Sequence, residues 1–216
     1  MDGNRRWAKE QGLSTYEGHR VGVSKIKEVM RWAWRRGVKE VVIYGFSTEN
    51  WNRAPEEVSG LMQLFEYTFG GPDLDELIRE GVRVRFIGER SRIPESLKRK
   101  MEDAEERTRD LANGTLIVGL SYGGRAEILD AVNTLLKEGK ASVNESEFKD
   151  AMWSRGTLDP DMVIRTGGDK RLSNFLPWQS VYSELFFTNT YWPALSKDEF
   201  DSMLHDFSNR ERRHGR

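Results

Sequence analysis

The stretch VVIYGF at residues 41–46 decides the fold class of this chain. A short, continuous apolar run rich in β-branched residues is typical of a strand buried on both faces of a parallel sheet. Apolar residues recur at helical spacing over 18–37 before this run and over 58–69 after it. Helix, strand and helix in this order predict an α/β protein with a parallel sheet.

The same alternation continues to the end of the chain. Further apolar strands or stretches are predicted over 82–87, 115–120, 162–165 and 185–187, and helices over 94–112, 124–138 and 197–209. The weak linker candidate, 139–156, is too short to separate domains. We therefore predict one domain over 1–216, with a central, largely parallel sheet flanked by helices.

Composition excludes several classes of protein. A net charge of -1 over 216 residues provides no global field for nucleic acid or acidic lipid, so any anion site must be local. The chain has 0 cysteines, which excludes disulfides, thiolate metal sites and a thiol nucleophile, and is compatible with a reducing cytosol. With no apolar run long enough for a membrane span, we expect a cytoplasmic protein, soluble or peripheral at the membrane.

Polar segments follow two of the predicted strands, where ligands bind in open parallel sheets. The first is the loop STENWNR at 47–53. The second, RTGGDKRLS at 165–173, has two glycines that allow backbone N–H groups to turn toward a ligand. Arg165 and Arg171 can fork around phosphate oxygens, and Ser173 adds a hydroxyl, so this segment predicts a diphosphate site.

The first residues, MDGNRRW, predict a second anion site. An acid, a flexible turn and two arginines stand where a helix begins, and helix N-termini present free N–H groups to anions. Two anion sites suggest two phosphorylated substrates. The site residues of this segment are Asp2, Gly3, Asn4, Arg5, Arg6 and Trp7.

Simpler interpretations of these residues stay open. The arginines near the glycine pair could form surface ion pairs of a solvated loop, and Asp2 could be only a helix cap. His19 is a better candidate for a hydrogen-bonded structural histidine than for a base. Asn50 with Trp51 could be a packed turn.

Two other clusters are interpreted as solvated surface. The arginines and tryptophans over 31–36 could bind nucleic acid, but the arginines are better explained as the solvated face of a helix, so no nucleic acid is expected. The acidic run 102–106 resembles a carboxylate metal site. It lies among lysines and arginines, and is better explained as the surface of a charged helix.

Taken together, the chain resembles the cis-prenyltransferase family over nearly its whole length. The motifs that carry the resemblance occur in the family's order: MDGNRRWA, GHRVG, YGFSTENWNR, VRVRFIGER, SYGGRAEI, DPDMVIRTGGDKRLSNFLPWQSVYSELFF, WP and NRERRHG. The resemblance implies a homodimeric enzyme that requires Mg²⁺. It implies that the enzyme condenses isopentenyl diphosphate with an allylic diphosphate such as farnesyl diphosphate, giving a cis-polyprenyl diphosphate for a carrier lipid.

The resemblance also assigns residues to roles. It implies that Asp2 is essential for catalysis and binds metal, and that Glu184 belongs to the metal site across the dimer interface. Ser47 and Asn50 are expected beside the reacting carbons. The allylic diphosphate is assigned to Gly3, Asn4, Arg5, Arg6, Trp7, His19 and Arg53, and isopentenyl diphosphate to Arg165, Arg171 and Ser173.

An apolar product tunnel is part of the expected fold, although its candidate residues could equally be plain core. Those candidates follow Pro55 on a predicted helix: Leu61, Met62, Leu64, Phe65 and Phe69.

The sequence departs from the family pattern at several positions. Arg5 stands where the family has the second glycine of DGNGR, Thr15 replaces an arginine, and Asp169 stands for the usual Glu of RTGGE. Because of these changes, the preference for a particular allylic substrate stays open. Family members carry an apolar strand before the MDGN motif, so we expect a chain extended upstream to be more stable or more active.

Two other functions remain candidates. A noncatalytic partner subunit of a cis-prenyltransferase would keep the fold but lose site residues, whereas Asp2, Asn50, Arg165, Arg171, Ser173 and Glu184 are all present. An irregular or short-chain prenyl diphosphate synthase would join allylic units with another regiochemistry.

Overall fold

A computed structural model of the chain describes residues 1–210. The rest of the chain, which includes the end of the NRERRHG motif, lies outside the described residues. The chain falls into two compact units, one built from Met1–Arg36 with the described part of Asp159–Arg216, and one from Gly37–Leu158.

The secondary structure alternates as the sequence predicts. The helices are α1 (Asn4–Glu10), α2 (Thr15–Arg35), α3 (Pro55–Gly70), α4 (Pro72–Arg79), α5 (Glu95–Thr108), α6 (Gly124–Lys137), α7 (Glu145–Ala151) and α8 (Lys197–Asn209). The strands are β1 (Glu40–Ser47), β2 (Val82–Ile87), β3 (Gly114–Tyr122), β4 (Met162–Arg165) and β5 (Glu184–Phe187), and short 3-10 helices cover Thr48–Asn52 and Trp192–Ala194.

The unit Gly37–Leu158 is built on a parallel sheet with strand order β1-β3-β2. The central strand β3 is buried almost throughout, and its Leu116 lies between Val41 of β1 and Val84 of β2. The stretch 41–46 forms a strand as predicted, but only Ile43 and Phe46 are fully buried. The expectation of burial on both faces is met by β3, because β1 is at the edge of this sheet.

The unit that contains both chain ends is built on the parallel pair β4-β5. In this pair Met162 is opposite Glu184, and Arg165 is opposite Phe187. Helices α1 and α2 pack against each other, and the 3-10 helix Trp192–Ala194 packs against both. The indole N–H of Trp192 donates a hydrogen bond to the Gly22 carbonyl at 2.7 Å, which ties α2 to the segment after β5.

Two glycines of α2 allow the close approach of α1. A Cβ atom at Gly18 would lie 2.5 Å from the Asn4 carbonyl oxygen and 2.7 Å from the Ala8 Cβ. At Gly22 a Cβ atom would overlap the Asn4 side-chain oxygen and lie 3.2 Å from Cδ1 of Trp192. The absence of a side chain at these positions therefore places the predicted site residue Asn4.

We expect Gly22→Ala to destabilise the protein by about 1–3 kcal/mol, the usual cost of overpacking. Alanine is the better helix former by about 1 kcal/mol, so propensity alone predicts the opposite sign. The overlap with Asn4 and Trp192 decides the result. Chemical denaturation measures it, with Ser24→Ala on the exposed face of the same helix as the control. An unchanged or raised midpoint for Gly22→Ala would show that α1 can shift at no cost.

The structure differs from the sequence predictions mainly at helix ends and in two short helices. Helix α2 begins at Thr15 rather than near residue 18, because Ser14 and Glu17 form a capping box. Helices α4 and α7 were not predicted. α7 lies within the linker candidate 139–156, where Asn144 caps it through the backbone N–H of Glu147 at 3.0 Å.

The α/β class, with parallel strands and flanking helices, is confirmed. One domain over the whole chain stays a prediction. Within residues 1–210, no helix is both long and apolar enough to cross a bilayer.

Candidate active site

The N-terminal segment is held to the end of β4 by Asp2. The backbone N–H of Asp2 donates to Oγ1 of Thr166 at 3.0 Å, and this hydroxyl donates to the Asp2 carbonyl at 2.8 Å. The Asp2 carboxylate accepts a hydrogen bond from the Gly3 N–H at 2.7 Å. Gly3 has a φ of 103° and packs so closely on Tyr191 that a Cβ atom would not fit. The backbone of this segment is thus ordered around one carboxylate.

Arg165 lies at the centre of a cluster of hydrogen-bonded groups that includes Asp2 and Ser173. Its guanidinium donates to Oδ2 of Asp2 at 2.9 Å, to Oγ of Ser173 at 2.6 Å and to the Arg171 carbonyl. Its side chain is 16% exposed, so these bonds are largely sheltered from water. Arg165 therefore joins the N-terminal segment to the loop that follows β4, and brings together residues predicted for two different substrates.

Three more charged side chains, Arg6, Asp169 and Arg171, complete this cluster. Arg6 lies 3.4 Å from Oδ1 of Asp2 and 3.8 Å from Oδ2 of Asp169, and its guanidinium stands 5.3 Å from the centre of the Tyr191 ring. Arg171 donates to Asp169 at 2.8 Å, yet its side chain is 62% exposed. Arg171 is thus the cation of the cluster that can turn most easily toward a ligand.

The loop after β4 has an unusual backbone. Ser173, Asn174 and Leu176 all have positive φ values, of 49°, 67° and 48°, although none is glycine. Such conformations are strained for these residues and persist only where the surrounding structure enforces them. Leu176 is buried, and the Ser180 hydroxyl and N–H both bond its carbonyl, which anchors the turn that presents Ser173.

The two glycines of this loop do not behave as predicted. Gly167 and Gly168 have φ values of 89° and 87°, as expected for a tight turn. Their N–H groups, however, donate to the carbonyls of Thr190 and Thr188, each at 2.8 Å. The prediction that these N–H groups face a ligand is therefore wrong. They attach the loop to the segment after β5 instead.

The pKa of Asp2 is lowered by its neighbours. Burial by itself raises the pKa of this carboxyl, but the hydrogen bond and positive charge of Arg165 oppose it, together with the Gly3 N–H and the charge of Arg6. The balance favours the ionised form. A carboxylate at this position keeps the two arginines in place.

The lowered pKa predicts how stability depends on pH. Because the folded-state pKa of Asp2 lies below its unfolded value of about 4, its contribution is complete above that pH and is lost as pH falls through the folded value. The free energy of unfolding of wild type minus that of Asp2→Asn should therefore be positive at neutral pH and shrink below pH about 4. Urea titrations of both proteins across this range measure the difference. A difference that does not vary with pH would show that Asp2 contributes no ionic interaction.

The remaining N-terminal site residues lie on the helices of the same unit. Asn4, Arg5 and Trp7 are on α1, and His19 is on α2 directly after Gly18, whose Cα packs on the Asn4 backbone. Nδ2 of Asn4 donates to the Met1 carbonyl at 3.3 Å, whereas its Oδ1 is buried without a hydrogen-bond partner among the described residues. This acceptor packs against Gly22 of α2.

Ser47, Asn50 and Arg53 lie together in the other unit. Oδ1 of Asn50 accepts a hydrogen bond from the Ser47 N–H at 3.1 Å, closing the 3-10 turn that begins at Thr48. Trp51 donates to Oγ of Ser121 at 2.9 Å and packs edge-on against Phe46, so it is a structural anchor of this turn. Arg53 is paired with Glu57 at 2.9 Å.

A pocket of about 560 Å³ opens beside this turn. Its lining includes Trp51, Arg53, Val58, Met62, Glu66 and Pro94. Of the five tunnel candidates on α3, only Met62 reaches this pocket, and all five are buried in the core. The tunnel itself stays a prediction.

Glu184 lies away from Asp2 within one chain. Glu184 begins β5 opposite Met162, whereas Arg165, which holds Asp2, ends β4 opposite Phe187. Three residues separate these positions, about 10 Å along the strands. Glu184 accepts a hydrogen bond from Arg210 at 2.7 Å. The described contacts therefore do not bring the two predicted metal ligands together.

The Asp2 carboxylate nevertheless suits Mg²⁺. Hard oxygen ligands are preferred by this ion, which usually keeps several waters and takes one or two carboxylates together with substrate phosphates. Among residues 1–210 no group of three or more His, Cys, Asp or Glu side chains could hold a metal. A site formed by one carboxylate and phosphate oxygens fits this arrangement better than a cage made of protein ligands alone.

The two alternative clusters are surface features, as interpreted from the sequence. On α5, Asp103 is paired with Arg107 at 3.2 Å, and Glu105 with Arg90 at 3.0 Å. On α2, the ring centre of Trp32 lies 6.0 Å from that of Phe200. That the acidic run 102–106 binds no metal and that the chain binds no nucleic acid stay predictions.

The segment after β5 was not predicted to belong to the site. Backbone carbonyls of residues 188–192 accept hydrogen bonds from the N–H groups of Gly167 and Gly168. The same segment places the Tyr191 ring beside Arg6, and its Trp192 backbone N–H donates to the Asp2 carbonyl at 3.0 Å. The rule that ligands bind beyond the carboxyl ends of parallel strands points to this segment as well, because it follows a strand.

Arginines gathered beyond the end of a parallel strand in an α/β fold are an arrangement that can bind phosphate groups. The comparisons are more specific. The chain belongs to the undecaprenyl diphosphate synthase family of prenyltransferases, whose model matches residues 1–215. It is a transferase of prenyl groups.

Curated relatives cover the whole chain. An isoprenyl transferase from Thermotoga maritima is 42% identical over 100% of this chain and 94% of its own length. The tritrans,polycis-undecaprenyl-diphosphate synthase (geranylgeranyl-diphosphate specific) from Pyrococcus abyssi is 44% identical over 100% of this chain and 84% of its own.

A solved structure is also similar over the full chain. Lavandulyl diphosphate synthase from Lavandula x intermedia, in complex with dimethylallyl diphosphate, has a TM-score of 0.94 and 30% identity. The match covers 100% of this chain and 95% of the plant enzyme.

Proposed function

We propose that this protein is a Mg²⁺-dependent cis-prenyltransferase that condenses isopentenyl diphosphate with an allylic diphosphate such as farnesyl diphosphate. The observation that carries the proposal is the cluster in which Arg165 joins Asp2 to Ser173, with Arg6 and Arg171 beside it. Cations from two separate segments meet around the carboxylates of Asp2 and Asp169. This arrangement suits two diphosphates that must lie side by side.

The chemistry requires charge stabilisation rather than a covalent nucleophile. Breaking the allylic C–O bond releases diphosphate and leaves a carbocation, which the double bond of isopentenyl diphosphate attacks. Arg6 and the other cations near Asp2 would stabilise the negative charge that develops on the departing oxygens. Bound Mg²⁺, held by Asp2 and diphosphate oxygens, would neutralise part of the same charge.

A proton must then leave the former isopentenyl unit. Two acceptors remain candidates, a network held by Asn50 and the released diphosphate. The Asn50 oxygen already accepts the Ser47 N–H, which orients this amide and leaves its NH₂ group as a donor. This favours a positioning role for Asn50, and the released diphosphate as the base.

One assay tests the function. Purified protein is incubated with Mg²⁺, labelled isopentenyl diphosphate and either farnesyl or geranylgeranyl diphosphate, and the products are sized after dephosphorylation. We expect linear products that grow by isoprene units and carry cis double bonds by NMR. No incorporation with any allylic substrate would refute the proposal and favour the partner-subunit alternative.

A second candidate is the irregular condensation of allylic units. The similarity to a lavandulyl diphosphate synthase bound to dimethylallyl diphosphate, an allylic diphosphate, favours it. Incubation with dimethylallyl diphosphate alone separates the two functions. A branched product in this reaction would establish the irregular activity, whereas the regular enzyme needs isopentenyl diphosphate.

We further propose that the enzyme is a homodimer. An apolar patch next to β5 includes Val181, which is 69% exposed, and Tyr182, which is 74% exposed, with Leu185 beside them. Such patches mark interaction sites in soluble proteins. Because Glu184 begins the same strand and lies away from Asp2 in one chain, a second copy docked at this patch is the arrangement in which both could serve one metal site.

The double substitution Val181→Asp with Tyr182→Asp is expected to raise the dimer dissociation constant at least about 30-fold, since a hot-spot residue contributes about 2 kcal/mol or more. Sedimentation equilibrium measures the change. Tyr67→Asp is the control, because this residue is 64% exposed on α3, well apart in sequence. A dimer unaffected by the double substitution, or a monomeric wild type, would contradict the proposed interface.

Each isoprene unit adds five carbons of apolar chain. At about 0.8 kcal/mol per CH₂, its transfer from the protein into water costs about 4 kcal/mol, so the product should leave slowly into water. We therefore propose a cytoplasmic enzyme that contacts the membrane peripherally when it releases a carrier-lipid precursor. The absence of cysteine is compatible with that compartment.

A further inference from the structure

Strand β3 has one extra residue near its end. In the register of β1 with β3, Leu120 lies opposite Phe46 and Tyr122 lies opposite Ser47. Ser121 is the residue inserted between these two pairs. It is buried and has a φ of 52°, a backbone conformation that favours glycine. Bulges of this kind re-aim one side chain and are common next to active sites, so the direction of the Ser121 side chain needs an explanation.

The backbone around Ser121 is fixed by groups other than its own side chain. The carbonyl of Ser121 accepts a hydrogen bond from the backbone N–H of Glu89 at 3.1 Å. The next residue, Tyr122, is fully buried, and its hydroxyl donates to Oε2 of Glu127 at 2.5 Å. The Tyr122 carbonyl accepts from the Tyr44 hydroxyl at 3.1 Å. Strained backbone persists where its surroundings enforce it in this way, so the Ser121 hydroxyl is available for another contact.

The hydroxyl of Ser121 holds the turn Thr48–Asn52. Oγ of Ser121 accepts a hydrogen bond from the indole N–H of Trp51 at 2.9 Å. Within Thr48–Asn52 no residue is fully buried, so packing against the core provides little restraint. The Trp51 ring lies edge-on to Phe46, with the ring centres 4.9 Å apart, and the Arg92 guanidinium stands 4.6 Å from its centre. Trp51 thus attaches the turn to the ends of β1 and β3.

The position of Trp51 affects two features of the proposed site. Asn50 immediately precedes Trp51, and its Oδ1 accepts the Ser47 N–H at 3.1 Å. Trp51 also lines the pocket of about 560 Å³ beside the turn. A displaced indole would therefore move the Asn50 amide and one wall of this pocket together.

The backbone of the bulge does not by itself explain a serine at position 121. Glycine adopts a positive φ without strain, whereas serine in this conformation is strained. If only the bulge mattered, glycine would be the better residue. The property that serine adds is its hydroxyl, and this hydroxyl is bonded to Trp51.

We propose that Ser121 is a positioning residue for the condensation: through its bond to Trp51, its hydroxyl aligns the Asn50 amide with the reacting groups of the substrates. The inference rests on the proposed function, in which Asn50 takes part in the reaction. Ser121 acts through Trp51 rather than on a substrate. Its effect should therefore appear in the rate of the chemical step and not in the binding of isopentenyl diphosphate.

Single-turnover kinetics of Ser121→Ala and Ser121→Gly test the inference. Both substitutions remove the hydroxyl, but only glycine relieves the strained backbone, so the two variants should melt at different temperatures. We expect both to lower the rate of condensation by about 10–100-fold, the scale found when a reacting group is misplaced by about 1 Å. The KM for isopentenyl diphosphate should change less than about 2-fold, because Arg165, Arg171 and Ser173 are intact. A rate loss common to both variants follows the hydroxyl rather than stability.

Thr108→Ala is the matched control. Thr108 is fully buried in the same unit, and its hydroxyl accepts the Val84 N–H at 2.9 Å and donates to the Ala104 carbonyl at 2.7 Å. Val84 lies opposite Leu116, five residues before Ser121 and about 16 Å away along β3. Loss of this hydroxyl should lower the melting temperature at least as much as Ser121→Ala does, yet leave the rate within about 2-fold of wild type.

A double-mutant cycle shows whether Ser121 acts through Trp51. Trp51→Phe removes the indole N–H but keeps an aromatic ring at this position. In this background Ser121→Ala should lower the rate less than about 2-fold further, because the bond is already absent. Rate losses that add fully in the double variant would overturn the proposed route through Trp51.

NMR of the ligand-free protein tests the positioning without any substrate. The side-chain NH₂ signals of Asn50 should shift or broaden in Ser121→Ala and stay unchanged in Thr108→Ala. If Ser121→Ala does not fold, Ser121→Gly provides both measurements. Unchanged Asn50 signals, or a wild-type rate in the Ser121 variants, would overturn the inference and leave the proposed function standing. If wild type forms no prenyl product, the proposed function fails instead, and the NMR comparison alone decides whether Ser121 orders Asn50.

Discussion

Asp2→Ala is expected to lower kcat about 10³-fold while the protein stays folded, the scale found when a group that stabilises developing charge is removed. The substitution deletes the acceptor for the Gly3 N–H and for Arg165, and it leaves Arg6 without its nearest carboxylate. It would also remove the carboxylate that we propose as a ligand of Mg²⁺. The loss should therefore appear in kcat rather than only in the KM of either substrate.

Two variants make this result interpretable. Asp2→Asn keeps the size of the side chain and an oxygen that can accept the Gly3 N–H, but removes the charge. If charge is the essential property, it should be nearly as inactive as Asp2→Ala. Asp110→Ala, at an exposed position after α5, should be fully active. Single-turnover kinetics in Mg²⁺ provide the measurement, and normal turnover by Asp2→Ala would refute its assigned role.

Arg165→Ala is expected to reduce kcat/KM for isopentenyl diphosphate by about 10²–10⁴-fold. The arginine donates three hydrogen bonds, and charged hydrogen bonds each contribute about 1.5–3 kcal/mol. Without it, the loop that presents Ser173 loses its tie to the N-terminal segment. We also expect a loss of stability of about 1–3 kcal/mol, limited because the Asp2 side chain is 35% exposed.

Arg171→Ala is the matched comparison, since it removes the same kind of side chain six residues further along. Among residues 1–210, the Arg171 side chain bonds to Asp169 alone, and it is mostly exposed. It should therefore raise the KM for isopentenyl diphosphate while kcat and the melting temperature change little. Steady-state kinetics with the allylic substrate held in excess measure both variants. Identical losses in the two would show that Arg165 has no organising role.

The elements of the fold were largely predictable because apolar periodicity reflects which face of each element is buried. Strand 82–87 and helices 124–138 and 197–209 occur within one residue of their predicted bounds. Helix α7 could not be recognised in this way, because its seven residues include one buried apolar side chain, Phe148, and hence no repeat.

The site was predictable in its composition but not in its internal connections. Arg165, Arg171 and Ser173 were singled out because cations and a hydroxyl follow an apolar strand. Nothing in the local sequence shows that Arg165 donates a hydrogen bond to Asp2, which lies 163 residues earlier. Nor does it show that the N–H groups of the two glycines donate to threonine carbonyls. Such pairings depend on chain segments that meet only after folding.

By itself, the sequence determined the α/β class, the order of the strands and of the longer helices, and which residue types can bind diphosphate. These properties follow from short-range patterns of apolar and charged residues, and local physical chemistry is sufficient to interpret them. Tertiary structure alone decided that the Arg165 side chain is sheltered and bonded to several groups, whereas the Arg171 side chain is exposed. It also decided that Glu184 lies at the end of the β4-β5 pair away from Asp2. Exposure and distance are properties of the packed chain, because they depend on contacts between residues that are remote in sequence.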